Sequence, residues 1–270
     1  MDEEKTKVIY KIGNIITLVL TILINALANA LPLNGLNTGE LSDALPNLFV
    51  PAGLTFSIWG IIYTLLILFV IYQGVKKGEE ETEFLNDIGP WFIISNLGNF
   101  GWIFAWHWQQ VALSMVFMIV IFISLLMIYL RLGIGVEKGV EKPTVEKFFV
   151  QVPFSVYIGW ITVATVANVT GLLVDLKINA GLIADFGLDE VTWTILVLIV
   201  VGIIADLLII IRKDFAYSFV IIWALLGIFI KRVVDLNDQP IIGYVALIII
   251  FTVVAADVIA GIRTAMYHHR

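Results

Sequence analysis

The sequence predicts an all-α fold: a polytopic membrane helix bundle of about eight transmembrane helices with both termini in the cytoplasm. Three observations lead there. Of 270 residues, 60% are hydrophobic and 14% charged, whereas a soluble domain carries about 25% charged residues. The mean hydropathy is +0.99. The apolar residues also fall in runs long enough to cross about 30 Å of hydrocarbon at about 1.5 Å per residue.

The runs lie at about Tyr10–Ala30, Gly53–Gln73, Gly89–Trp106, Val111–Leu132, Lys147–Asn168, Val191–Ile211, Phe215–Ile230 and Ile241–Ile262. Polar or turn-forming stretches separate them: Pro32 to Gly35, Lys76 to Glu83, Gly133 to Pro143 and Asn237 to Pro240. Ala28-Asn29-Ala30 has the form of a signal-peptidase site, but the apolar run before it exceeds a typical signal core, so the first span is expected to be retained. With the N-terminus inside, 13 of the 16 Lys and Arg residues flank the cytoplasmic ends of the spans. The three on the other side are Lys177, Lys231 and Arg232, the last two at the outer end of the seventh span. An integral protein of the plasma (inner) membrane is expected, with the lipid bilayer as its first partner.

Composition also excludes functions. The net charge of −6, with no basic stripe bearing aromatics, does not suggest nucleic acid. Without Cys there are no disulfides and no thiolate metal ligands, and the three His at 107, 268 and 269 make no metal-binding spacing. No cofactor is expected. No nucleophile–base pair stands out either, so no catalytic residue is assigned and whether the chain is an enzyme stays open.

Three stretches carry a resemblance. The second span reads Phe56-Ser57-Ile58-Trp59-Gly60-Ile61-Ile62-Tyr63 after a loop ending at Pro51. The third runs from Trp91 through Asn96, Asn99, Trp102, Trp106 and Trp108. The fifth carries Pro153 and then Trp160-Ile161-Thr162-Val163-Ala164-Thr165-Val166-Ala167-Asn168. Together these resemble the translocator protein / tryptophan-rich sensory protein (TspO/MBR) family over about residues 10–172. The reading divides the chain into a five-helix unit, 1–172, and a second unit, 173–270, of a connecting loop and three further helices. The resemblance implies a ligand of the tetrapyrrole kind. Some members have been proposed to degrade porphyrin photochemically through pocket tryptophans, whose counterparts here would be Trp59 and Trp160.

Depth along the spans brings these aromatics together in one half of the bundle, beneath the loop Leu31–Ala52. Large aromatics with a few polar groups suit a flat apolar ligand such as a porphyrin or lipid. The candidate ligand-binding residues are Trp59, Tyr63, Asn99, Trp102, Trp160, Ala164 and Asn168. Trp106, Trp108 and Trp193 read instead as an interfacial belt. Asn25, Asn96, Asn99 and Asn168 must pair inside the bundle, as interhelical glue or, for Asn99 and Asn168, as ligand-orienting amides. His107, the one imidazole near the aromatic cluster, is a candidate axial haem ligand or a plain helix-end residue.

Asp206 and Asp257 stand at matching depth in the sixth and eighth spans, each six residues before an Arg, Arg212 and Arg263. They form a candidate proton or cation site, and with it an alternative function, a proton- or cation-coupled secondary transporter. No motif recurs between the two halves as in many transporters. Gly101-x-x-x-Ala105 on the third span permits close helix approach, for a homodimer or for packing within one chain.

Overall fold

The computed structural model describes residues 3–31, 33–45, 47–78, 80–136, 142–176 and 188–268. The orientation count includes Lys138, Lys177 and Arg270, which lie outside these. All eight expected spans are helical. They are α1 (Glu3–Ala30), α3 (Ile58–Val75), α5 (Trp91–His107), α6 (Val111–Arg131), α7 (Thr144–Asp175), α8 (Glu190–Arg212), α9 (Phe215–Asp235) and α10 (Pro240–His268). Two short helices, α2 (Thr38–Ala44) and α4 (Phe84–Ile88), lie between them. Seven helices are long and apolar enough to cross a membrane. The eighth expected span, α5, is 17 residues long, at the short limit of about 17–25 for a crossing. The protein is a polytopic helical membrane bundle, and among the described residues it contains no strand.

α1 explains itself by its stripe. Asn14, Thr17, Thr21 and Asn25 are buried at helical spacing, while Ile12, Ile16, Val19 and Leu23 are exposed. The polar face therefore points inward and the apolar face outward, as lipid demands. Each of these four side chains finds a partner on a neighbouring helix, though the Asn14 oxygen has none. Asn14 Nδ2 donates to Gln73 Oε1 at 3.0 Å. Thr17 Oγ1 accepts from Asn96 Nδ2 at 3.1 Å, and Thr21 Oγ1 donates to the Asn96 carbonyl at 3.1 Å. Asn25 Nδ2 donates to Asn99 Oδ1 at 2.8 Å. These bonds hold α1 against α3 and α5.

α5 packs on α6, and α6 on α7. A Cβ added at Gly101 would meet the Phe117 ring of α6 at 2.5 Å, so the small residue there lets two helices of the same chain approach. The last three helices join through α9, which packs on α7 and on the 3-10 turn Gly53–Ser57. At Gly227 an added Cβ would lie 1.9 Å from Thr55 Oγ1.

One end of the bundle gathers Lys11, Lys76, Arg131 and Arg212 and is here called the basic end; residues 33–57 cover the other and form a cap. The cap is shaped by its own sequence. Asn37 caps α2 by accepting from the Glu40 amide at 2.9 Å, while Glu40 accepts from the Asn37 amide at 2.8 Å. Asn34 and Gly35 turn the chain with φ of 56° and 91°.

The buried amide ladder yields a first expectation. Asn25→Leu leaves Asn99 Oδ1 without its donor and lowers the unfolding free energy in detergent by about 1 kcal/mol, measurable by denaturant titration.

Candidate functional site

Beneath the cap lies an aromatic pocket. Phe56 reaches it from the 3-10 turn Gly53–Ser57, Trp59 from the start of α3, Trp102 and Trp106 from the end of α5, Met118 from α6, and Trp160, Ala164 and Asn168 from α7. Thr38, Asn47 and Pro51 close it from the cap. Trp160 stands edge-on to Phe56 and Trp59 at centroid distances of 5.9 and 6.3 Å, and Trp102 stacks on Trp106 at 5.5 Å. The free volume is only about 50 Å³, far below the roughly 300–1,000 Å³ of a ligand site. A second cleft of about 380 Å³ runs between α1 and α3, lined by Asn25, Asn29, Thr38, Phe56, Trp59 and Tyr63. Thr38, Phe56 and Trp59 line both spaces.

Two polar groups of the pocket wall are unsatisfied. The indole nitrogens of Trp102 and Trp160 are buried and have no hydrogen-bond partner. Such donors are uncommon, because an unmade hydrogen bond in a buried setting costs about 1–3 kcal/mol. Asn168, by contrast, donates to Ser114 Oγ at 3.1 Å.

Of the residues nominated from sequence, Trp59, Trp102, Trp160, Ala164 and Asn168 line the pocket. Tyr63 lines the neighbouring cleft. Asn99 lines neither space: it accepts from Asn25 and donates to the Tyr157 hydroxyl at 3.2 Å, so it is structural glue. Trp106 is no belt residue. It is 8% exposed and its Nε1 donates to the Thr38 carbonyl at 3.4 Å, whereas Trp108 is 49% exposed. His107 has no nitrogen left for iron. Its Nε2 meets Thr38 Oγ1 at 3.1 Å and its Nδ1 the Leu33 carbonyl at 3.0 Å. The end of α5 lies under the cap, which is why Trp106 reads wrongly from depth alone, and His107 closes that helix as the helix-end residue of its second reading.

The family can be decided on top of this geometry. The sequence model of a family described as TSPO-like protein matches residues 11–259. The chain belongs to the TSPO-like protein family. Its match runs past residue 172 into the last three helices, so the family likeness reaches beyond the five spans that carried the motifs. Neither the curated proteins nor the solved structures give a match.

What sequence reasoning missed is how this TSPO-like chain holds its cap. Arg232, 4% exposed, donates from Nε to the Leu48 carbonyl at 3.1 Å and from Nη2 to the Asn47 carbonyl at 2.9 Å. Its Nη1 pairs with Asp238 at 2.7 Å. Lys231 pairs with Asp43, and Trp223 Nε1 donates to the Thr55 carbonyl at 2.9 Å. The two cations that disturbed the charge pattern thus bind the cap. The misplaced charge was the available signal, since a cation at that end of a span needs a partner.

The two carboxylates nominated in the last helices meet different partners. Arg212 turns away from Asp206. Its Nη1 donates to the Ile134 carbonyl at 2.8 Å, and its guanidinium lies 5.0 Å from the Tyr129 ring centroid. Asp257 accepts from Ser218 Oγ at 2.8 Å. Asp206 Oδ1 is buried with no partner. Asp214, not singled out from sequence, is buried and caps α9 through the Tyr217 amide at 3.1 Å. Its place just before an apolar run is an N-cap signal.

The cap contacts make a measurable expectation. His107→Leu removes both side-chain bonds to the cap and leaves the one its carbonyl accepts from Asn34, so backbone amides of residues 33–38 exchange about tenfold faster with deuterium, while the rest of the bundle keeps its protection.

Proposed function

We propose that this protein binds a flat apolar molecule bearing a hydrogen-bond acceptor, of the tetrapyrrole or lipid class, in the aromatic pocket, and senses or carries it. The observation that carries this reading is the pair of unsatisfied indole N–H donors, Trp102 and Trp160, on one pocket wall. A carbonyl or carboxylate of a ligand would satisfy them where no protein group does, and the surrounding rings would bury its apolar faces. The present void of about 50 Å³ is too small for a porphyrin. Binding therefore requires the partition of Phe56 and Trp59 to swing, joining the pocket to the cleft of about 380 Å³, or the cap to lift. Membership of the TSPO-like family supports this reading. We place the protein in the plasma (inner) membrane, and a homodimer through α5 would have to use a face other than that of Gly101, which packs on α6.

The test is saturable quenching of Trp fluorescence by protoporphyrin, with a Trp160→Phe variant beside the wild type. Saturation in the wild type and about tenfold weaker binding in the variant are expected, the loss of one buried hydrogen bond. Quenching that never saturates removes the tetrapyrrole reading.

A second reading has its own observation. Asp206 and Asp257 carry no cation partner among the described residues, and one oxygen of Asp206 is buried without a hydrogen bond. Intramembrane carboxylates of this kind serve proton or cation paths. On this reading Asp257→Asn abolishes pH-dependent flux into proteoliposomes and leaves porphyrin quenching unchanged. An unchanged flux would reject it.

A further inference from the structure

The basic end holds a second, larger space. A cavity of about 500 Å³ opens between the start of α7, the α8–α9 turn and residues 133–136. Lys142, Lys147, Arg212 and Lys213 stand on its walls with the neutral amide of Gln151, while the Ser155 and Thr264 hydroxyls there already donate to Asp214 and to the Ala260 carbonyl. The one carboxylate among the described lining residues, Asp214, is committed elsewhere. It is buried, accepts from Ser155 Oγ at 2.6 Å and caps α9 through the Tyr217 amide. Four cations thus stand beside one internally bonded anion, one of them, Lys142, already paired with carboxylates outside the cavity.

The walls are built rather than incidental. Arg212 is fixed by its bond to the Ile134 carbonyl and its place over the Tyr129 ring. Gly135, with φ of +74°, sits so close to the end of α8 that a Cβ there would lie 1.9 Å from the Arg212 carbonyl oxygen. Only glycine lets the 133–136 turn lock onto α8, and that contact sets one wall. Lys142 is shared between Glu146 at 3.3 Å and Glu83 at 3.9 Å, the latter a long contact. Lys213 makes no ion pair among the described residues and is exposed. The cavity lies where α7 and α9 begin and α8 ends, the level at which lipid headgroups meet a spanning bundle.

We propose that this cavity binds a phosphate group, presented either by an anionic lipid headgroup or free in solution. Lys147, Lys213 and Arg212 supply charge, and the Gln151 amide supplies a neutral hydrogen bond to its oxygens. Basic pockets between transmembrane helices bind anionic headgroups through the same chemistry. The inference stands apart from the aromatic pocket and does not need that reading to hold.

The experiment uses the full chain in a neutral detergent. Native mass spectrometry is run with phosphatidylglycerol and with phosphatidylcholine, whose choline cancels the phosphate charge. Retention of phosphatidylglycerol over phosphatidylcholine is expected, with about tenfold weaker retention in Lys147→Ala/Lys213→Ala. Lys5→Ala/Lys77→Ala removes the same charge outside the cavity and is expected to bind as the wild type. Lys213→Glu alone, at an exposed residue, repeats the measurement should the double variant fold poorly. Millimolar inorganic phosphate without lipid forms the other arm. A rise in melting temperature in the wild type, absent in Lys147→Ala/Lys213→Ala, assigns the site to soluble phosphate. Equal retention of both lipids with no phosphate shift overturns the proposal. So does an equal loss in Lys5→Ala/Lys77→Ala, since the attraction would then belong to the whole surface.

Discussion

A polar group in hydrocarbon has only the protein to bond with, and much of this bundle is arranged to meet that constraint. It sets the rotation of α1, whose Asn14, Thr17, Thr21 and Asn25 must face α3 and α5. It fixes α5 from the other side, because Asn96 and Asn99 take those same partners. It brings the start of α6 to the end of α7 through Ser114 and Asn168. The apolar residues between these contacts pack well, but lipid would accept them almost equally, so they do not choose a partner helix. The amides and hydroxyls do.

Against that background the exceptions gain meaning. Most buried polar side chains among the described residues are bonded, yet the nitrogens of Trp102 and Trp160 are not, and both line one pocket. The protein satisfies Trp106 with a cap carbonyl and Trp223 with another. An indole can therefore be satisfied at this level of the bundle. Of the eight buried side-chain atoms without a partner among the described residues, a third indole, Trp193, included, only those of Trp102 and Trp160 belong to residues that line this pocket.

Hydropathy and charge made the spans legible, since each depends on a property that adds along a local stretch of chain. The order of helices and most of the pocket wall came with them, with Trp59, Trp102, Trp160, Ala164 and Asn168 where motifs and depth put them. What was not decided along the chain shares a cause. Depth on one helix is all that a local reading of Asn99, Trp106 and His107 can use, but their roles are set by chain far away in sequence, Asn25 for the first and the cap for the others. Arg232 contacts Leu48 across 184 positions, a pairing no local pattern contains. Arg212 likewise takes its partners, the Ile134 carbonyl and the Tyr129 ring, from chain about eighty residues earlier.

Residues Ile230–Asp235 form a π turn, in which each bond spans one residue more than in an α-helix. Arg232 lies within it. The widened turn sets the azimuth at which this guanidinium leaves the helix, and so decides whether it meets the Asn47 and Leu48 carbonyls. Loss of a single residue there would leave a continuous helix but rotate its downstream end by about 100°. Chain length in this one turn is therefore a ratchet setting for the whole cap, and related sequences with a residue more or fewer would cover their pockets by a different clasp.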